Sequence, residues 1–207
     1  FAGASVAQAV AAGMSRGVLS NEAGLGSAPI AHGIANVQHP SEQGAVGIFE
    51  VFIDTIVVCS MTAFIILSSN LWTDAAYQQA SGDLTAAALG TSIPGAAAIV
   101  ALSSFFFGFS TLIGWYYYGE KCFEFIFGSK MIFTYRVIFT VLIMVGAVIS
   151  VPLVWAIGTL LNGFMAFPNL VGLLLLAGLV RRITIDYFSG TGSLYSVAHP
   201  DTGVRVS

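Results

Sequence analysis

The chain has 207 residues, 57% of them hydrophobic and only 8% charged, with a formal net charge of −3 and a mean hydropathy of +0.87. Soluble domains carry about 25% charged residues, so an ordinary water-soluble domain is excluded, and no basic patch points to nucleic acid. Residues 84–119 and 137–180 form runs of 36 and 44 residues without a charge, whereas roughly 20 apolar residues cross a bilayer as a helix.

Five hydrophobic stretches are expected to span. The first, about 1–19, is rich in Ala and Gly and opens at Phe1 with neither Met nor a basic leader. It reads as the end of a span begun upstream, and the chain as a fragment rather than one headed by a signal peptide. The others are about 45–69, 93–118, 131–150 and 152–180. They are continuous and long, unlike the short alternating strands of a membrane barrel. Lipid offers the backbone no water, so helix is the default. The connections are polar at 21–43, acidic at 70–92 with Asp74 and Asp83, and basic at 120–130 with Lys121 and Lys130.

Positive residues favour the cytoplasmic side. That rule places Arg16, Lys121, Lys130, Arg136, Arg181 and Arg182 inside and the acidic connection outside. It also favours one broken span over two short ones at 152–180, kinked at Pro168 and loosened at Asn162-Gly163. The transmembrane domain is then 1–182, followed by a short cytoplasmic tail, 183–207. Cys59 and Cys122 sit in or beside apolar segments and read as packing residues rather than a disulfide.

Few side chains carry chemistry. Asp54 lies about ten residues into the second span, near mid-bilayer at about 1.5 Å per residue. An ionisable group at such depth costs about 2.5 kcal/mol or more and usually faces the bundle interior. It is either an ion or proton site or a structural pair, for example with Arg16. Glu50, one turn earlier and shallower, favours the structural pair. Ser110 and Thr111 offer adjacent hydroxyl oxygens in mid-span; such oxygens suit a hard cation, or they bond back to their own helix. Trp115, one turn on, is a pocket wall or a packing residue. Gly3, Ser5 and Gln8 mark either an unwound stretch lining a cavity or ordinary small-residue packing.

In residues 16–29, Asn21 and Gly24 are expected to end a helix, and Ser27 to cap another with Pro29 in its first turn. Gly24-Leu-Gly26 has no preceding strand and no basic residue after it, which argues against a nucleotide loop. His32 and His39 lack cysteine partners, which argues against zinc. No nucleophile–base pair, HExxH or CxxC occurs, so the chain is not expected to be an enzyme. A channel lined by Asp54 is an alternative, distinguished by currents far above transporter turnover.

SNEAGLGSAP at 20–29 and FIDTIVVCSMTA at 52–63 closely resemble the sodium:alanine symporter family, the alanine or glycine:cation symporters. FSTLIGWYYYGEK at 109–121 and NGFMAFPNL at 162–170 are similar to it as well. The resemblance covers nearly the whole chain and corresponds to the family's C-terminal half. It implies an all-α polytopic membrane bundle, the second five-helix repeat of a leucine-transporter-type inverted-repeat fold. It implies sodium-coupled symport of a small neutral amino acid, alanine or glycine, across the plasma (cell inner) membrane by alternating access. By the same resemblance, Phe1, Ala2, Gly3 and Ser5 belong to a helix break that binds substrate, with Thr111 and Trp115. Phe107, through its carbonyl, Ser110 and Thr111 hold one sodium, and Asp54 serves a second ion site. The residues 20–27 are expected to gate or brace, not to bind. The remaining ligands belong to an N-terminal half that this chain does not carry, so the chain alone is a non-transporting fragment.

Overall fold

The computed structural model describes residues 2–74, 76, 77 and 81–190, without side chains at 2–4, 81 and 82. Every regular element among them is helical. Two compact units form, Phe1–Val51 with Val141–Ser207, and Phe52–Thr140.

In the first unit, α1 covers Ala2–Asn21. It is helical through Gly3 and Ser5; Phe1, named for the expected helix break, lies outside the described residues. The short α2, Ala28–His32, carries Pro29 in its first turn. Then comes α3, Pro40–Phe52, whose start is capped by His39: the Ser41 amide donates to His39 Nδ1 at 3.1 Å. His39 is buried and stacks on Tyr187 with ring centroids 4.8 Å apart.

The helix of α3 continues without a loop into a π-helical stretch, Ile53–Val58, and then α4, Cys59–Ser69. Asn70 ends α4 in the left-handed conformation at φ 58°, a frequent helix terminator. In the second unit α5 covers Ser81–Gly90 and α6 covers Ala96–Phe127, begun by the left-handed Gly95 and ended by Gly128. The helix α7 is Ile132–Val148. A short extended link at Ser150, with Pro152 in the next first turn, leads to α8, Val151–Phe188. This helix is unbroken through Asn162-Gly163 and Pro168 and runs past the expected domain edge at 182.

Four helical stretches among the described residues are long and apolar enough to cross a bilayer: Pro40–Ser69, Ala96–Phe127, Ser129–Val148 and Val151–Phe188. The stretch expected at 1–19 is helical but falls short of that apolarity, because Ala, Gly and Ser carry little transfer free energy. Among the described residues, the buried apolar side chains are Leu25, Ala88 and Ala96, while Phe125 is 91% and Leu175 81% exposed. Apolar surface on that scale marks a lipid or protein contact.

Two expectations about partners change. Cys59 and Cys122 are free and exposed, not packed. The guanidinium of Arg16 lies 3.6 Å from the centre of the Trp155 ring, and the Glu50 carboxylate lies beside His32. Trp155 is one turn into α8, about 39 Å along that helix from Arg181 at 1.5 Å per residue. That exceeds the ~30 Å apolar thickness of a bilayer. Arg16 thus lies beside the start of α8 rather than beside Arg181 and Arg182, with an indole face against the cation.

Candidate functional site

The helix α6 presents two unlike faces. Phe107, Ser110, Thr111 and Trp115 fall at i, i+3, i+4 and i+8, one stripe of an α-helix. Phe107, Ser110 and Thr111 are exposed and Trp115 is half-buried. Ser110 Oγ donates to the Phe107 carbonyl at 2.9 Å. Two of the three oxygens expected to hold sodium are thus already drawn together, in the self-bonded arrangement that a serine in a membrane helix commonly takes. The Ser110 hydroxyl, which donates once, keeps two acceptor lone pairs, whereas the Phe107 carbonyl also takes the helical bond from the Thr111 amide. Trp115 stands edge-on to Tyr118 with centroids 6.0 Å apart.

The opposite face is closed by α7. Tyr116 donates its hydroxyl to Glu120, and Arg136 Nε donates to the same carboxylate at 3.2 Å. Tyr135 donates to the Tyr116 carbonyl at 3.0 Å. Its ring lies so close over Gly119 that a Cβ there would collide with it. Phe139 and Phe123 complete the contact. This network consumes its polar groups internally and reads as a brace.

Asp54 lies in the π-helical stretch, half-buried, and its carbonyl accepts from the Cys59 amide. One extra residue in the turn shifts every later side chain around the helix, and such segments recur at functional sites. Composition gives no sign of it, so the sequence reading missed it. No group of three or more His, Cys, Asp or Glu residues that could hold a metal occurs among the described residues.

The first unit brings two of the motif stretches together. After α1 the chain reverses through Glu22, Gly24 and Gly26, all with positive φ. Asn21 Oδ1 accepts from the Ala23 amide at 2.9 Å. Ser27 is buried, but its hydroxyl donates to Glu22 Oε2 at 2.6 Å and makes no cap bond to α2. The expected cap position is therefore correct and the expected bond is not. A Cβ on Gly26 would stand 3.1 Å from the Asn169 side chain, so the glycine serves both left-handed backbone and close approach. Beside this contact an open cleft of about 290 Å³ is lined by Ser15 and Val18 of α1, Leu25, and Thr159 and Asn162 of α8. Ser5 is an exposed residue of α1. The expected substrate residues 1–5 and 111–115 belong to different units.

The family model described as the sodium:alanine symporter family matches residues 1–195. The chain is 47% identical over 179 residues to the sodium/alanine symporter AgcS of Methanococcus maripaludis, covering 86% of this chain and 40% of that protein. It is 40% identical over 188 residues to the probable sodium/glutamine symporter GlnT of Bacillus subtilis, covering 90% of this chain and 39% of that protein. A putative sodium/proton-dependent alanine carrier protein of Bacillus subtilis, YrbD, is 33% identical over 201 residues, 89% of this chain and 42% of that protein. The chain thus spans about two-fifths of the length of these curated relatives. With its long apolar helices and its match over residues 1–195, the chain belongs to the sodium:alanine symporter family, a family of transporters and not of enzymes.

Proposed function

We propose that the chain is the second half of a sodium-coupled symporter that moves a small neutral amino acid, alanine or glycine, across the plasma membrane by alternating access. The observation that carries this reading is the exposed oxygen stripe of α6 in a chain of this family. Residues 1–182 form the transporter domain, the second five-helix repeat of a leucine-transporter-type fold, and 183–207 form a cytoplasmic tail.

Sodium is cargo in this scheme. The Phe107 carbonyl and the Ser110 and Thr111 hydroxyls supply hard oxygen ligands of the kind such a cation prefers. Asp54 contributes a carboxylate to a second ion site. Phe1, Ala2, Gly3 and Ser5 are the residues that would bind the polar ends of the substrate, as the family resemblance implies. Thr111 and Trp115 are the other substrate residues in this scheme. Whatever factor sodium adds to the affinity for the amino acid, the amino acid adds to that for sodium, as linkage requires. The other ligands come from an N-terminal half, so the chain by itself does not transport.

Relatives named for alanine, for glutamine and for proton dependence support an amino-acid cargo with cation coupling. The test uses full-length protein in proteoliposomes. Labelled alanine should accumulate under an inward sodium gradient and fail to do so when choline replaces sodium. Equal uptake in both would overturn the reading, and large single-channel currents would favour a pore.

A further inference from the structure

The cleft of the first unit, about 290 Å³ in volume, has no part in the sodium and substrate sites proposed above. Its wall is apolar at Val18 and Leu25 and polar at Ser15, Thr159 and Asn162. Two contacts hold α1 and the turn after it against α8. Arg16 lies on the Trp155 ring, and Gly26 is packed against Asn169. Between those two levels α8 places Gly163 and Ala166 along the gap, residues too small to fill it.

The depth of this gap matters. Residues 151–180 of α8 carry no charge and run for about 44 Å at 1.5 Å per residue. Asn162 lies about 17 Å from one end of that stretch and about 27 Å from the other. An apolar core of about 30 Å fitted anywhere within it therefore contains Asn162. Thr159 donates back to the Trp155 carbonyl at 2.8 Å, but no hydrogen bond from the half-buried Asn162 amide occurs among the described residues. An amide without a partner is costly in lipid, and water in the cleft removes that cost. The volume holds roughly ten waters at about 30 Å³ each, and a lodged water needs about two to four polar partners. Asn162 offers two donors and an acceptor, and the Ser15 and Thr159 hydroxyls add acceptors. None of the described residues lining the cleft is ionisable, so a charged ligand meets no counter-charge there.

We propose that the cleft between α1 and α8 is a recess for water and small uncharged hydrogen-bonding molecules that reaches the apolar core of the membrane, with Asn162 as the residue that holds them there. The recess stands independently of whether the whole protein transports.

The test uses full-length protein in nanodiscs, cleared of native cysteines, Cys59 and Cys122 included. A single cysteine is placed in the cleft by Ala166→Cys, which leaves Asn162 intact. The control is Phe164→Cys, at nearly the same depth but on the opposite side of α8, where the side chain is 69% exposed. Both are treated with a membrane-impermeant sulfonated thiol reagent. The thiolate is the reactive form, and apolar surroundings keep a thiol protonated. Ala166→Cys should therefore be modified at least about tenfold faster than Phe164→Cys. Should Ala166→Cys fail to fold, Ser15→Cys reports on the same cleft from α1. Adding Asn162→Leu, a change of shape-matched size, should slow modification of the cleft cysteine about two- to tenfold, the worth of one hydrogen bond. Equal rates in the cleft and at Phe164→Cys would overturn the proposal, the cleft then being filled by lipid or by another part of the protein. A rate indifferent to Asn162→Leu would overturn the role given to Asn162.

Discussion

The two faces of α6 carry similar groups and treat them differently. Toward α7, Tyr116, Glu120, Tyr135 and Arg136 satisfy one another. On the other stripe, Ser110 and Thr111 are exposed hydroxyl residues, Ser110 bonded back to the Phe107 carbonyl. The first face reads as a brace, and the second is the one proposed to hold the ion.

The largest effect should come from emptying the open stripe. Replacing both Ser110 and Thr111 by Ala in the full-length protein should raise half-saturating sodium by a hundredfold or more, at about 1.5–3 kcal/mol for each charge-directed oxygen contact. Uptake titrated against sodium checks this. The braced face should respond in stability instead. Gly119→Ala drives a Cβ into the Tyr135 ring and should cost about 1–3 kcal/mol. Gly108→Ala meets nothing within 4 Å and should stabilise α6 by about 0.5–1 kcal/mol through helix propensity. Thermal unfolding in detergent separates the two; equal shifts would erase the distinction between faces. Tyr135→Phe removes the bond to the Tyr116 carbonyl and should cost about 0.5–1.5 kcal/mol in the same assay. The smallest effect should be at the exposed Lys121–Glu124 pair, three residues apart on the helix surface, where Lys121→Ala should leave the unfolding temperature unchanged.

Much of the helical architecture was legible because uncharged runs of 36 and 44 residues admit little else. Partner choice was not. Glu50 contacts His32, eighteen positions away, rather than Arg16, because the reversal through Glu22, Gly24 and Gly26 decides what the following segment meets. The same left-handed turn brings Glu22 back to Ser27 and removes the expected cap bond. The π-helical stretch around Asp54 was invisible for another reason: α and π turns use the same residues and differ in one hydrogen-bond step. The stripe on α6 was visible because i, i+3 and i+4 share a face on any helix. Its Ser110–Phe107 bond was one of the two arrangements open to those hydroxyls. The contact of Arg16 with the Trp155 ring was equally illegible, since an aromatic face carries no charge to signal it.

The central claim is that the exposed stripe of α6 holds the coupling ion. The most direct measurement is alanine uptake by full-length protein as a function of sodium concentration, for the unaltered protein and for Thr111→Ala. The curve should move to about ten- to hundredfold higher sodium, the loss of a single oxygen contact to a cation, while the amount of folded protein in the membrane stays the same. Superimposable curves would contradict the assignment of the ion to α6.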